Sequence, residues 1–542
     1  MEPKSVLLQL LQAQVSRLDK SGTSLALLSS RNEDNAMGIR TIWRSVRDRL
    51  GQRPHNLLAI SDLHLGCDLK AGAKSGESKR ARSFDAQLSE FIDWHATNKK
   101  DGKPWRLLLN GDIVDFVAIT LTPGLAEEPG FTVLPEERAW GLAAEEAKCV
   151  WKLARVVERH AQVFDALARF LLQGNSIHVI RGNHDAEFRF PAVQEELRRL
   201  LAERVGRSGA GRRRVDQQLE FHNWFYLEPG FFYAEHGNAY DRYCVGSDFF
   251  PPEANGATPQ REMDLPITSK VLRYFANRYS EQVELDDADT WTTLQYLAWV
   301  LKAGNPLHIA ADYVVMVVRV LSPIVRQSLR LSRAVARAAD KAIAKVDDGA
   351  PATAMLHAML GKFSGTEKQA AQLLAFASRP AEQSVFDAMQ LFYVDRLVLA
   401  VLSLATAYAT TAVVHGFWAK GAALTLVGIA FAALNALLGK QRKTDAHPML
   451  LNAARRVAQL FDVRFVAMGH SHRAVDQEVG AGKRYYNLGS WTNARGGEGF
   501  PHLVIENGNA ELRRWKGVPV AQPAQAPAAE EQRDLAGLAV PA

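Results

Sequence analysis

Leu57-Leu-Ala-Ile60 runs directly into Ser61-Asp62-Leu63-His64-Leu65-Gly66, and this passage decides how the rest of the chain is read. A short apolar run that ends on an acid and an imidazole has the pattern of a buried strand whose carboxyl end carries ligand side chains. The pattern recurs. Leu107-Leu-Leu109 leads to Gly111-Asp112-Ile113-Val114-Asp115, and Ile177-His-Val-Ile180 leads to Gly182-Asn183-His184-Asp185. Phe461 to Met468 leads to Gly469-His470-Ser471-His472. A further block, Glu235-His236-Gly237, ends the second of two strands expected at Leu219 to Tyr226 and Gly230 to Glu235, around the turn Glu228-Pro229-Gly230. Phe84 to His95 and Glu145 to Leu172 have helical periodicity between these runs, which is the alternation of an α/β domain.

The residue types at these strand ends point to metal. Four His, two Asp and one Asn are more than one ion needs, and about seven such ligands suit two octahedral or five-coordinate ions sharing a bridge. Any one block alone is a weak signal, since Asp-x-His and Gly-Asn-His also occur in ordinary turns. Five blocks in order are a strong one.

In this order the blocks resemble the calcineurin-like metallophosphoesterases, whose pattern is D-x-H, G-D-x-x-D, G-N-H-D/E, H and G-H-x-H. The resemblance covers roughly Asn56 to Asp248 and Leu450 to Trp515. It implies a calcineurin-like four-layer sandwich, two β-sheets flanked by helices, and a hydrolase acting on phosphoric ester or anhydride bonds. It also implies that Asp62, His64 and His472 bind a first ion, that Asp112 bridges, and that Asn183, His236 and His470 bind a second. Mn²⁺ is the expected metal, with Fe or Zn²⁺ also suited to such ligands. The resemblance makes His184 the group that stabilises the transition state or protonates the leaving oxygen, with Asp115 orienting it. Asn238, Tyr240 and Asp241, following His236, are candidates for touching substrate. The opening motif is similar to that of the UDP-2,3-diacylglucosamine pyrophosphatases, which cleave a lipid-linked diphosphate. That group usually carries Arg where this chain has His184, a departure that brings the site closer to general phosphodiesterases and phosphatases.

At 542 residues, 47% of them hydrophobic, the chain is long enough for one catalytic domain plus insertions. A formal charge of +6 is small for this length and does not imply nucleic acid. Cys67, Cys149 and Cys244 are odd in number and lack C-x-x-C spacing, which argues against a disulfide framework and fits a reducing compartment. Residues 1–53 read as a helical region, with Ile39, Ile42, Trp43 and Val46 at helical spacing and no secretory signal.

The catalytic domain is expected to be discontinuous, over 54–250 and 449–516, with a helical insertion at 251–448 and a disordered tail at 517–542. Within the insertion, Leu397 to Ala419 and Gly421 to Gly439 carry no formal charge, and each approaches the roughly 20 residues that cross a hydrocarbon core. Arg396 before them and Lys440, Arg442 and Lys443 after them predict a transmembrane hairpin with both outer ends in the cytoplasm and the Phe417-Trp418 turn on the far side. Leu307 to Leu321, containing Asp312 and Arg319, reads as interfacial or buried, and a basic amphipathic stretch runs from about Val314 to Lys345. Together these features predict a phosphoesterase at the inner membrane, facing the cytoplasm, with membrane lipid as a partner and a phosphate ester or diphosphate as substrate. The alternatives are a cytoplasm-facing nucleotide phosphodiesterase or protein phosphatase, and a non-catalytic interaction module.

Overall fold

The computed structural model describes residues 53–71, 79–206, 209–246, 263, 265–279, 302, 304–338, 366–441, 445–492, 499–515 and 518–519. The expected amphipathic N-terminal helix and the tail beyond residue 519 lie outside the described residues, as do Arg442 and Lys443.

The chain is α/β, with two mixed sheets. The first has seven strands in the order β12-β11-β10-β1-β2-β3-β4, built from β1 (Asn56–Ile60), β2 (Trp105–Asn110), β3 (Ser176–Ile180), β4 (Leu219–His222), β10 (Pro501–Glu506), β11 (Asn509–Arg514) and β12 (Val518–Pro519). The second has five, in the order β5-β6-β7-β9-β8, from β5 (Phe225–Glu228), β6 (Phe232–Glu235), β7 (Phe465–Met468), β8 (Ala474–Gly480) and β9 (Lys483–Leu488). Strands β1, β2, β3 and β4 run parallel, as do β6, β7 and β9. Residues 465–514 therefore complete both sheets that residues 56–235 begin. Because β12 pairs with β11, the sheet also runs two residues into the expected tail.

Apolar side chains close the core on both sides of each sheet. Leu57, Ala59, Leu108 and Ile180 from the first sheet cluster with Phe232, Ala234, Phe465 and Tyr486 from the second. The other side of the first sheet meets the helices Lys79–Thr97, Glu146–Arg159, Ala161–Leu172 and Pro191–Val205 through residues such as Phe91, Val156, Phe164 and Leu201. Leu450, Ala454 and Val457 of the helix Ala446–Leu460 cover the second.

Two expected elements are divided. Leu219 to Tyr226 is not one strand: β4 and β5 belong to different sheets, and the chain crosses between them where Trp224 is buried and donates to Glu235 Oε2 at 2.6 Å. Glu145 to Leu172 breaks at His160, whose backbone leaves the helical region and whose ring is held between Asp85 Oδ1 (2.8 Å) and the Gly66 N–H (3.0 Å). Arg199 pairs locally with Glu196 and Glu203, and Arg212 with Glu195 and Asp216.

The described part of the insertion is helical. Among the described residues three helices are long and apolar enough to cross a membrane: Pro306–Leu329, Val394–Val413 and Phe417–Gly439. The last two lie side by side with their apolar side chains outward, Leu404 being 71% exposed and Trp418 84%. Their turn falls at residues 414–416, where Gly416 takes a left-handed φ of 88°, so Phe417 and Trp418, expected in the turn, open the second helix instead, and Lys420 stands in its first turn. The boundaries expected at 397–419 and 421–439 move accordingly to 394–413 and 417–441. Arg396 donates to the Asn435 carbonyl at 2.6 Å, tying the two helices at their outer ends.

Candidate metal centre

All five motif blocks meet at the carboxyl ends of the parallel strands. Asp62 and His64 follow β1, Asp112 and Asp115 follow β2, and Asn183 and His184 follow β3. From the second sheet, His236 follows β6, and His470 and His472 follow β7. The two sets are joined by backbone and amide bonds. Asn110 donates to the Glu235 carbonyl (2.9 Å), the Gly469 N–H donates to the His236 carbonyl (2.9 Å), and the His470 N–H donates to Asp62 Oδ2 (3.2 Å).

The backbone bends sharply at the candidate ligands. Among the described residues nine non-glycines have positive φ, and five of them are Asp62, His64, Asp112, His470 and His472, at 48° to 66°. Such conformations are uncommon for residues with a Cβ and cluster at functional sites, where the surroundings hold them. Two motif glycines allow the close approach: a Cβ on Gly182 would collide with the Asp112 carboxylate, and one on Gly469 with Ser61 and Asp62.

Side-chain geometry fits a cation. His236 Nδ1 lies 3.1 Å from the Asn110 carbonyl, which makes that nitrogen the donor and leaves Nε2 to face Asp112 Oδ2 at 3.1 Å. His64 turns Nδ1 to Asp115 Oδ2 (3.2 Å), His472 Nε2 lies 3.1 Å from Asp62 Oδ1, and His470 Nε2 lies 3.2 Å from Asp241 Oδ2. Asp62 Oδ1, His64 Nε2, Asn183 Oδ1 and His236 Nε2 are all buried and none makes an aligned hydrogen bond. Buried polar atoms without an aligned hydrogen bond are costly, and these four, every one able to donate a lone pair, form a set a cation would satisfy. Asp62, His64 and His472, and separately Asp62, Asp112 and His236, are close enough to hold an ion.

The charges are interdependent. Burial opposes ionisation of Asp62 and Asp112, but the imidazoles around them, His236 foremost, hold both carboxyls below their usual range. Burial would depress His184; Asp115 and Asp112 outweigh it and hold the ring up at about 10. His184 Nδ1 is 3.0 Å from Asp115 Oδ1, within ion-pair reach but misaligned for a hydrogen bond. Asp185 braces the loop, accepting from the N–H groups of Gly182 (2.6 Å) and Ile113 (2.8 Å).

Of the three substrate candidates, Asp241 lies against a candidate ligand, and Asn238 and Tyr240 are buried. Tyr240 is buried, with its hydroxyl donating to Glu235 Oε1 (2.5 Å). Asn238 is buried beside it, and Asp241 meets His470. Asn110 and Asn487 are supports that the motif reading misses. Asn487 donates to the Gly469 carbonyl at 2.7 Å. A buried amide closing an apolar run, as in Leu107-Leu-Leu-Asn110, is the signal that marks the first of them. A separate group, His178, Glu220 and His222, lies within ligand distance on β3 and β4, but its imidazoles already bond each other at 2.9 Å and Glu220 is largely exposed.

Against models of protein families, characterised protein sequences and solved structures, the chain finds no match, so the reading of this centre rests on its own residues.

Proposed function

We propose that the chain is a calcineurin-like metallophosphoesterase, a four-layer sandwich with a dinuclear metal centre, anchored at the inner membrane by the hairpin 394–441 with the catalytic body on the cytoplasmic side. The observation that carries the reading is the set Asp62 Oδ1, His64 Nε2, Asn183 Oδ1 and His236 Nε2, buried and without an aligned hydrogen bond, at the ends of strands from both sheets. In this reading Asp62, His64 and His472 would hold one divalent cation and Asn183, His236 and His470 a second, with Asp112 as the ligand shared by both. Mn²⁺ suits the mixed carboxylate, imidazole and amide set, as do Fe and Zn²⁺.

Bound divalent ions supply Lewis acidity toward phosphoryl oxygens and acidify water. The chain's own groups do the remaining work. Asp115 holds His184 and His64 through Nδ1, fixing both rings. His184 is thereby positioned to give a proton from Nε2 to the leaving oxygen of a phosphate ester or diphosphate. The anchor favours a lipid-linked substrate.

Purified protein, stripped with a chelator and reloaded with Mn²⁺, tests the reading against phosphomonoesters, phosphodiesters, nucleotides, phosphopeptides and lipid diphosphates. Metal-dependent hydrolysis, greatest for the lipid-linked compounds, is expected. Hydrolysis restricted to nucleotides or phosphopeptides would replace the substrate assignment, and no hydrolysis of any compound would overturn the enzyme.

A further inference from the structure

The helix Pro306–Leu329 has the length and composition of a span but two differently occupied faces. On one face Met316, Val320 and Ile324 are buried against Tyr243, Ile267, Ala388 and Phe392. Three polar contacts fix it to the folded body: Asp312 with Arg278 (3.0 Å), Tyr279 with Asp312 (2.7 Å) and Arg319 with Glu136 (2.6 Å). A helix held by ion pairs to the catalytic body is not free to cross a bilayer. On the opposite face Leu307 (78% exposed), Val314, Val315 and Val318 (59%) form a continuous apolar stripe.

Two further observations say what covers that stripe. The helix adjoins the base of the hairpin: Tyr313 donates to the Phe392 carbonyl at 2.7 Å, two residues before Val394 opens the first hairpin helix. Arg326 is exposed on the same helix, and the sequence stays basic beyond it, with Arg330, Arg333 and Arg337. An apolar stripe flanked by arginines is the pattern of a helix lying in the headgroup region of an anionic leaflet.

We infer that Pro306–Leu329 lies in the plane of the cytoplasmic leaflet, its outer face among anionic headgroups, and so seats the metal-bearing body against the bilayer surface. The inference rests on the hairpin spanning that bilayer. It makes the substrate one that is reached at the surface, with its apolar part in the leaflet and its phosphate in water.

The test uses full-length protein in vesicles of phosphatidylcholine and phosphatidylglycerol, with a fluorophore at a single introduced cysteine in a Cys67→Ser background. Positions 318, 404 and 125 sample the outer stripe, the hairpin and the exposed body. Lipids carrying a quencher at the headgroup or at mid-chain report depth. The expected result is headgroup quenching at 318, mid-chain quenching at 404 and neither at 125. Mid-chain quenching at 318 would make the helix a third span, and no quenching there would leave the stripe to water or protein; either overturns the inference. If 404 also escapes quenching, the hairpin reading fails with it, whereas quenching at 404 alone removes only the seat.

Discussion

Asp115 Oδ2 lies 3.2 Å from His64 Nδ1, and the same carboxylate reaches His184 with its other oxygen. One acid therefore aims a candidate metal ligand and the candidate proton donor together. Asp115→Asn keeps the shape and removes the charge. Losses of roughly 10- to 100-fold in metal affinity or rate are expected of such an orienting partner. Metal content and turnover, measured on the same preparation, check this; unchanged values for both would show that neither ring depends on the carboxylate.

Asp112→Ala should be more severe. Its carboxylate faces His236 and accepts from the His184 N–H at 2.8 Å, so removing it disturbs both halves of the centre. Hydrolysis should fall to background and bound metal should drop, with circular dichroism unchanged. Near-normal turnover with full metal content would exclude Asp112 as the bridge.

His184→Ala should bind metal normally and lose about 10²- to 10⁴-fold in rate, the range for a general acid. The loss should shrink for a nitrophenyl ester, whose leaving group needs no proton. Equal losses for good and poor leaving groups would assign His184 to charge stabilisation or positioning instead.

Stability should fall in mild acid. Burial pushes His95 down to about 4 and His502 down to about 3, from an ordinary value of 6.5. The unfolded chain then takes up these protons first, so their contribution is complete above pH 6.5 and is lost as pH falls from 6.5 toward 4. Each ring adds a slope of about 1.4 kcal/mol per pH unit inside that window. Urea titrations from pH 7 to 4 should show His95→Gln with a shallower decline than the parent chain. Parallel curves would place the acid sensitivity elsewhere.

The hairpin should keep the protein with membranes through high salt and carbonate, with detergent needed for release. A label at residue 418 should react from the outer side while tags at both termini stay protected in sealed cells. Release by salt alone would leave the centre intact but remove the anchor.

The ligand blocks are legible because each is local: an apolar run, then Asp or His within a few residues. What holds them is not. His236 depends on the Asn110 carbonyl 126 residues away, and the break at His160 depends on Asp85 and Gly66. The division of Leu219 to Tyr226 into two strands escapes the pattern because Asn223-Trp224 carries neither Gly nor Pro, and the turn forms when Trp224 finds Glu235. At the hairpin, the single charge of Lys420 marks a break that Gly416 actually makes, four residues earlier.

Strand β7 lies between β6 and β9, yet His470 is synthesised 234 residues after His236. At roughly 5–20 residues per second that interval lasts roughly ten to fifty seconds on the ribosome. Throughout it the second sheet is only the β5–β6 pair, which is marginal on its own. The long apolar helices at 394–441 emerge before the last two imidazoles exist. In the proposed reading the nascent chain meets the membrane while its ligand set is still incomplete, which makes metal capture the closing step of biogenesis.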